Sequence, residues 1–517
     1  MTNQGTIYWI GAGPGDVGLI TVKGLALLQQ ADAIVGDALG HARLLQQART
    51  DAEIHDVGCR AASNKMPQAE VQRLLVELGQ KHKTVVRLYP GDPFVYGKAA
   101  PEMVAARAAG LRVEVVPGVS AAIAAPAYAG VPLTDWDCAA SFAVVSGVHS
   151  KDPAVRPNWT ALAQMETLVI LMPLRNLAAI VEKLGGAGMA ANTPALVVQN
   201  GTRPQQKQLR ATLGTLVQSV QKADIQPPAI VVLGRVVGLS DQLDWFRPEN
   251  FPLLGQRVLV TRPIHQAGDF MAELRNLGAE PVPFPTIEIQ PAEETARLDE
   301  AIRQICRYTA QHARGANVPP GEPPFHWLVL TSTNGVTAFF ERLAALQLDS
   351  RCLASVQIAA IGPATAAAMH RFSITPDLIP QEYTAEGVLA AFDALGPVTG
   401  QRFLLARADI ARKTLAIGLR ERGAQVDEIP AYRTVPVSGG SPPPPAEIVT
   451  FTSSSTVQGF VNCLGGRSPA EALAGSRVVC IGPITAATAQ ELGVPVSAVA
   501  KKYTIDGILN VLKGEEQ

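Results

Sequence analysis

Three Gly- and Pro-rich turns, each placed after a short β-branched run, constrain this chain more than any other feature. IYWI leads into Gly11-Ala12-Gly13-Pro14-Gly15-Asp16, and TVVRL leads into Gly91-Asp92-Pro93-Phe94-Val95-Tyr96-Gly97. RVEVV leads into the run Pro117 to Thr134, PGVSAAIAAPAYAGVPLT. Short apolar runs bounded by Gly and Pro read as buried strands, so each turn sits where a strand hands over to a loop. In an open α/β sheet, ligands bind in the crevice outside those strand ends. Three such turns on one edge describe a pocket walled mostly by backbone.

The first turn admits two other readings. Gly11-x-Gly13 after a strand opens like a dinucleotide fingerprint, and Asp37 falls near the place of its ribose-binding acid. The third glycine of GxGxxG would then be residue 16, which is Asp16, and Pro14 removes an N–H that a pyrophosphate cradle would use. A tight strand-to-helix turn with no ligand is the simpler alternative for this motif alone. The other two turns weigh against it.

At 517 residues, the chain should hold several domains of about 100–200 residues each. Hydrophobic content of 47% with 17% charged residues suits a well-packed α/β protein. A net charge of −1 and a pI near 6.7 argue against a nucleic-acid or membrane-surface footprint. MTNQGTIYWIGAG has no basic leader or cleavage site, and no apolar stretch reaches transmembrane length, so a cytoplasmic protein is expected. The six cysteines, at 59, 138, 306, 352, 463 and 480, show no CxxC pairing. Free or buried thiols are therefore expected rather than disulfides or a metal site.

A seam falls near residues 239–256, where the polar stretch SDQLDWFRPENFP separates two strand-like runs and Pro248 and Pro252 discourage regular structure. The expected division is lobes of about 1–116 and 117–240, a linker over 241–253, and a second part over 254–517. Strands alternate with amphipathic helices in both lobes, which predicts two stacked α/β layers. The second part repeats internally. LTSTNGVTAFFERL is echoed by FTSSSTVQGFVNCL, AAIGPATAAAM by VCIGPITAATA, and EYTAEGVLAAF by KYTIDGILNVL. Thr331 thus matches Thr452, Gly362 matches Gly482 and Tyr383 matches Tyr503, a nearly fixed offset that means two similar α/β domains in series. Thr331-Ser332 and Thr452-Ser453-Ser454 suit helix N-caps, whose free N–H groups make anion sites. Simple capping is the alternative for any one block.

The three turns of the first part resemble those of the tetrapyrrole methylases, in particular uroporphyrinogen-III C-methyltransferase, over roughly residues 5–240. The resemblance implies S-adenosylmethionine as methyl donor. It carries the family's donor contacts onto Pro14, Gly91, Asp92, Val95, Ser120, Ala121, Met172 and Gly201. For Met172, in TLVILMPL, a core methionine is the alternative. Asp37 matches a family carboxylate proposed as a base, with a helix cap or turn acid as its alternative. The chain departs from the family in three places: Pro90-Gly91-Asp92-Pro93 for Gly-Gly-Asp-Pro, Gly58-Cys59-Arg60 for Gly-Lys-Arg, and Gly97-Lys98-Ala99-Ala100-Pro101-Glu102 for Gly-Arg-Gly-Gly-Glu-Glu. Lys98 keeps the charge of the family arginine without its bidentate fork. Arg60, Arg87 and Lys98 are candidates to meet an octa-anionic substrate, and the family implies a homodimer through this half.

The second part resembles uroporphyrinogen-III synthase over roughly 254–517. The matching segments include RVLVTRP, GAEPVPFPTIEI, LTSTNGV, IGPATAAA, EYTAEG, RAD, VDEIPAYRTV and FTSSSTV. The resemblance implies two α/β domains joined by a two-stranded linker, one of 254–284 plus 436–517 and the other of 290–430. Gln311 to Pro324 reads as a surface insertion and Ser438 to Pro445 as an exposed loop. Tyr432 and Thr485 match family positions implicated in activity. No His/Asp/Ser constellation, metal spacing or carboxylate pair stands among the matched blocks, so closure of hydroxymethylbilane is expected to rest on positioning a reactive substrate. The expected architecture is α/β, a two-lobed tetrapyrrole methylase followed by a two-domain α/β uroporphyrinogen-III synthase. The expected activity is bifunctional, ending at precorrin-2 for sirohaem or cobalamin. Two alternatives stay open for the first half: methylation of a later corrin intermediate, or a non-catalytic S-adenosylmethionine-binding module.

Overall fold

The structure is a computed structural model, and it describes residues 5–37, 42–58, 66–148, 155–313, 322–409, 413–437 and 442–515. The chain divides into two compact units. One comprises Met1–Gln256 with Leu277–Ala279, the other Arg257–Asn276 with Glu280–Gln517.

The first unit holds two five-stranded sheets. β1 (Thr6–Gly11), β2 (Ala33–Gly36), β3 (Glu53–Asp56), β4 (Thr84–Tyr89) and β5 (Arg112–Val116) form a parallel sheet in the order β3-β2-β4-β1-β5. Its central strands β1, β2 and β4 are buried on both faces: Ile7 and Trp9 enter one core, Ile10, Val86 and Leu88 the other. Such double burial explains why they read as unbroken apolar runs. The second sheet contains β6 (Phe142–Ser146), β7 (Thr167–Leu171), β8 (Pro194–Gln199), β9 (Lys207–Thr212) and β10 (Ala229–Gly234) in the order β6-β7-β10-β8-β9. It is mixed, with β6 and β7 parallel and the remaining pairs antiparallel. The helix Ala121–Tyr128 packs its small residues Ala122 and Ala125 against Val169, Leu196 and Val198 of this sheet.

The seam is ordered by aromatic packing rather than left loose. A short helix, Ser240–Leu243, is followed by Trp245, Phe246 and Phe251, which cluster with Tyr128 at centroid separations of 4.9–5.8 Å. The two prolines exclude regular structure there without excluding a docked conformation.

The second unit repeats one layout twice. Its strands are β11 (Arg257–Val260), β12 (Glu280–Pro283), β13 (Ile287–Pro291), β14 (Trp327–Leu330), β15 (Gln357–Ala360), β16 (Arg402–Ala408), β17 (Gln425–Pro436), β18 (Ile448–Phe451), β19 (Arg477–Cys480) and β20 (Ala498–Val499). One sheet runs β12-β11-β18-β19-β20, the other β13-β17-β16-β14-β15. The antiparallel pair β13 and β17, with Ile287 opposite Pro436 and Pro291 opposite Tyr432, carries the chain out of the first sheet region and back. The sequence repeat is structural. Ser332 and Ser453 cap the helices Thr333–Ala345 and Ser454–Cys463, while Thr384 and Thr504 cap Ala385–Leu395 and Ile505–Lys513. Gly362 and Gly482 lie against the rings of Tyr383 and Tyr503, where a Cβ would approach to 3.1 and 3.0 Å.

Two expectations are corrected. Cys306 and Cys352 are joined as a disulfide, with Cα atoms 4.5 Å apart, rather than standing as separate thiols. Their separation of 46 residues hides a contact made only when the helix Ala296–Ala313 folds against the turn at Ser350–Leu353. Arg87 is not a substrate-facing cation, for the reason given below. Cys59, Arg60, and parts of the expected loops at 311–324 and 438–445 lie outside the described residues.

Candidate functional site

The three turns leave neighbouring strands β4, β1 and β5, whose register sets Gly11 beside Tyr89 and Ile10 beside Val116. They meet through backbone. Gly91 N donates to Gly13 O at 2.8 Å, and Gly13 N donates back to Gly91 O at 3.3 Å. A Cβ at Gly11 would lie 2.4 Å from Gly118 Cα and 2.6 Å from Gly91 O, and one at Gly118 would lie 2.3 Å from Gly91 O. Only glycine permits this three-way approach. Asp92 ties the arrangement together: its Oδ2 accepts from Gly118 N at 2.9 Å and its Oδ1 from Phe94 N at 2.8 Å. The Asp92 carboxylate is thus engaged in holding two turns in register.

Ser120 caps the helix Ala121–Tyr128, its hydroxyl accepting from Ala122 N at 3.2 Å. A Cβ at Gly91 (φ 68°) would stand 3.6 Å from Ser120 Cα and 3.8 Å from Ala121 N, so a side chain there would occupy the space before this helix N-terminus. Gly201 packs on the same helix, where a Cβ would come within 2.4 Å of Ala125 Cβ. Pro14 lies in the first turn and Val95, 39% exposed, in the second. Met172, at the end of β7, is 36% exposed with φ 52°, which removes the core-methionine alternative. Tyr96, Met172, Asn200 and Thr202 all have φ between 52° and 68°. Strained backbone of this kind persists where surrounding structure holds it, often at functional sites.

Asp16, the residue that breaks the dinucleotide fingerprint, joins the two lobes. Its Oδ2 accepts from Tyr128 Oη at 2.7 Å, its Oδ1 from Gly18 N at 2.7 Å, and its own N–H donates to Thr202 Oγ1 at 3.1 Å. Tyr96 Oη donates to Val144 O at 3.2 Å across the same lobes. Beneath the turns, Glu102 is 1% exposed and accepts from Trp9 Nε1 at 3.0 Å, Gln68 Nε2 at 2.9 Å and Arg87 Nε at 3.1 Å. This pairing consumes Arg87, which is buried, so that Arg87 supports the floor of the site rather than its ligand. Lys98 is exposed at the start of the helix Ala99–Ala108, and Asp37 is half-buried directly after β2. Gly118, Tyr128, Thr202 and Glu102 escaped the sequence reading of the site. Tyr128, a lone aromatic in an Ala-rich helix, was the visible signal.

In the second unit, Tyr432 lies on β17 and is 6% exposed. Its hydroxyl is 3.0 Å from Ser332 Oγ, which also accepts from Gly335 N at 3.0 Å to cap its helix. Burial pushes the Tyr432 phenol above its ordinary pKa, with Ser332 and Asn334 acting in the opposite direction. Asn334 accepts from Gln266 Nε2 of the helix Ile264–Asn276, joining the two sheet regions of this unit. Thr485 is buried in the first turn of Pro483–Glu491, and no hydrogen bond among the described residues joins it to Tyr432. Arg262, in RVLVTRP, is a further cation of this unit: its Nε has no partner among the described residues, and burial pushes its guanidinium pKa down. A cation at the end of a motif strand was the signal for it.

Glycine turns tied together at the strand ends of one unit, followed by a duplicated α/β unit, describe an α/β protein built in two parts. Comparison with known proteins gives the families. The model of tetrapyrrole (corrin/porphyrin) methylases matches residues 6–217, and that of uroporphyrinogen-III synthase HemD matches 268–510. A porphyrin biosynthesis protein HemD of Ruminiclostridium josui is 35% identical over 98% of both chains. A uroporphyrinogen-III C-methyltransferase of Bacillus subtilis is 36% identical over 68% of each. A solved uroporphyrin-III C-methyl transferase from Thermus thermophilus, complexed with S-adenyl homocysteine, is 35% identical over 45% of this chain and 93% of its own, with a TM-score of 0.39. The chain belongs to the tetrapyrrole methylases in its first half and to the uroporphyrinogen-III synthases in its second, and is a bifunctional tetrapyrrole biosynthesis enzyme.

Proposed function

We propose that the second half closes hydroxymethylbilane to uroporphyrinogen III and that the first half methylates this product twice with S-adenosylmethionine, giving precorrin-2. The observation that carries the donor assignment is the contact of Gly11, Gly91 and Gly118. It leaves backbone groups and a capped helix N-terminus around a space that one side chain would fill, which suits a zwitterionic ligand. The donor set is Pro14, Gly91, Asp92, Val95, Ser120, Ala121, Met172 and Gly201, in a methylase domain of residues 1–240. Bound there, S-adenosylmethionine supplies an electrophilic methyl group. The chain's part is to align it with an electron-rich pyrrole carbon and to exclude water. Asp37 is assigned as the base that receives the pyrrole proton, and Lys98 as a cation near the substrate's carboxylates. We further assign a homodimer through the first half, supported by the fully exposed Trp136 of the second lobe, and a cytoplasmic location. Among the described residues, no helix is long and apolar enough to cross a membrane.

In the synthase domain, residues 254–517, Tyr432 donates a hydrogen bond to the departing hydroxyl, and Thr485 is assigned as a second residue of the activity. The buried phenol stays protonated, and the folded chain of substrate is held so that the inverted ring attacks first. Tyr432→Phe should therefore slow closure and raise the fraction of type I isomer without abolishing turnover. Complete loss of activity in a folded variant would make the phenol an obligatory acid. A coupled assay from hydroxymethylbilane with labelled S-adenosylmethionine tests the whole reading. Precorrin-2 is the expected product; uroporphyrinogen III without methyl transfer would leave a binding module or a methylase of a later corrin intermediate.

A further inference from the structure

The segment joining the halves does more than connect them. Trp245 stacks edge-on to Tyr128 at 4.9 Å, Phe246 does so at 5.0 Å, and Phe251 closes the cluster against both segment aromatics. Trp245 Nε1 donates to Ala127 O at 2.9 Å, and Asn250 Nδ2 donates to Trp245 O at 2.7 Å, fixing the indole. The backbone also sits hard on the lobe: at Gly130 a Cβ would come 2.6 Å from Asp244 N and from Leu243 C. The ring these residues enclose belongs to Tyr128, whose hydroxyl holds Asp16 of the first glycine turn. From Asp16 the connection continues through Thr202 Oγ1. Thr202 N donates to Gln206 Oε1 at 2.8 Å, and Gln206 Nε2 donates to Tyr128 O at 2.9 Å, which closes a loop of hydrogen bonds.

We propose that the joining segment, through Trp245, Phe246 and Phe251, is a brace for the methyl-donor site, with Tyr128 and Asp16 as positioning residues. The ring cluster fixes where the Tyr128 hydroxyl stands. That hydroxyl fixes Asp16, and Asp16 fixes the turn whose Gly13 pairs with Gly91. The segment therefore belongs functionally to the first half, and the donor site is complete only when it is docked. The proposal rests on the donor being held at the glycine turns.

The test uses the full chain, with S-adenosylhomocysteine titrated calorimetrically and synthase turnover as an internal control. Tyr128→Phe keeps the ring and removes only the hydroxyl. It should weaken donor binding roughly tenfold and lower the thermal stability of the first unit, each on the scale of one hydrogen bond to a charged partner, while synthase turnover stays near that of the parent. Trp245→Ala should raise the KM for S-adenosylmethionine several-fold with little change in the KM for uroporphyrinogen III, and Trp245→Phe should restore most of the loss. Gly91→Val separates the two layers of the argument. If it loses donor binding while Tyr128→Phe and Trp245→Ala keep parental affinity, the brace is wrong. If Gly91→Val itself binds normally, the placement of the donor is wrong, and the brace falls with it. A fall in donor affinity that tracks loss of synthase turnover would mark general misfolding and also overturn the proposal.

Discussion

Gly118→Ala is the sharpest perturbation the structure offers, because one added carbon meets only backbone. The new Cβ would lie 2.3 Å from Gly91 O, 2.6 Å from Gly11 Cα and 2.7 Å from Gly11 C. An ordinary contact of this kind needs a separation larger by about 1 Å. No flexible side chain is available to give way. The turn after β5 must then move by about that distance from the turns after β1 and β4, or those must separate. Overpacking of this order costs roughly 1–3 kcal/mol. The same displacement lengthens the 2.9 Å bond from Gly118 N to Asp92. Since 1.4 kcal/mol corresponds to a factor of ten, donor affinity should fall by about tenfold to a hundredfold if the turns form the site. Gly91→Ala provides the contrast. Its nearest atoms stand at 3.6 Å or beyond, so its scaffold cost is confined to a positive φ of 68°, roughly 1–2 kcal/mol. Calorimetric titration of S-adenosylhomocysteine with both variants, alongside their thermal unfolding, makes the measurement. Parental affinity and stability in Gly118→Ala would refute the claim that these three backbones touch.

Three further outcomes are expected. Glu102→Gln removes the counter-charge of buried Arg87 and should destabilise the first unit by about 3–5 kcal/mol in denaturant titration, whereas an exposed pair such as Arg351 with Asp349 should cost little on removal. Burial raises the Cys480 thiol pKa to about 12, so at pH 8 it should resist a maleimide until the chain unfolds, read by mass spectrometry. Arg257 lowers the Glu447 pKa to about 2, from an ordinary value of 4.5, so the stabilisation is present above pH 4.5 and lost as pH falls through 2. With both side chains more than a third exposed, it amounts to less than about 1 kcal/mol. The stability gap between parent and Glu447→Gln should therefore shrink between pH 5 and pH 2.5, and added salt should shrink it further.

The glycine turns were legible because their signal is local: a backbone that must turn sharply or be approached closely selects Gly and Pro wherever it stands in the fold. The same holds for the duplicated unit, where Ser332 with Ser453 and Thr384 with Thr504 announce helix starts at a fixed spacing. What stayed hidden depends on contacts between distant segments. Arg87 looks like any cation within a strand, and only the placement of Glu102 fifteen residues later turns it inward. Cys306 and Cys352 show no spacing that announces their pairing. Trp245 and Phe251 sit among prolines and polar residues, a composition that marks a linker until the Tyr128 ring they cover is seen. Local rules thus located the turns, while the residues that hold them in shape required the fold.

Both halves face the same electrostatic problem, and the chain answers it without a surplus of positive charge. Uroporphyrinogen carries eight carboxylates, yet the protein's net charge is −1 and Arg87, a cation beside the first site, is paired internally. Beside side-chain cations such as Lys98 and Arg262, the backbone offers further compensation. In the first half a capped helix N-terminus at Ser120 meets the glycine turns, and in the second the capped starts at Ser332 and Ser453 stand at strand ends, with further capped starts at Thr384 and Thr504. Helix N-termini offer N–H donors and a partial positive charge fixed in direction, with no side-chain entropy to lose on binding. They also carry no proton to exchange near neutral pH. Such sites grip carboxylates while leaving the reacting carbon untouched, which suits one reaction in which the donor is already activated and another in which the substrate is already reactive. On this reasoning, removing a cap should act mainly on substrate affinity and product geometry. Ser453→Ala removes one acceptor from a capping box and should cost roughly 1 kcal/mol of stability. Its effect on hydroxymethylbilane closure should appear as a higher KM and a larger fraction of type I isomer, with maximal rate nearly unchanged. A variant that instead lost maximal rate at constant KM would show that the cap region supplies chemistry, and the account of closure as positioning alone would fail.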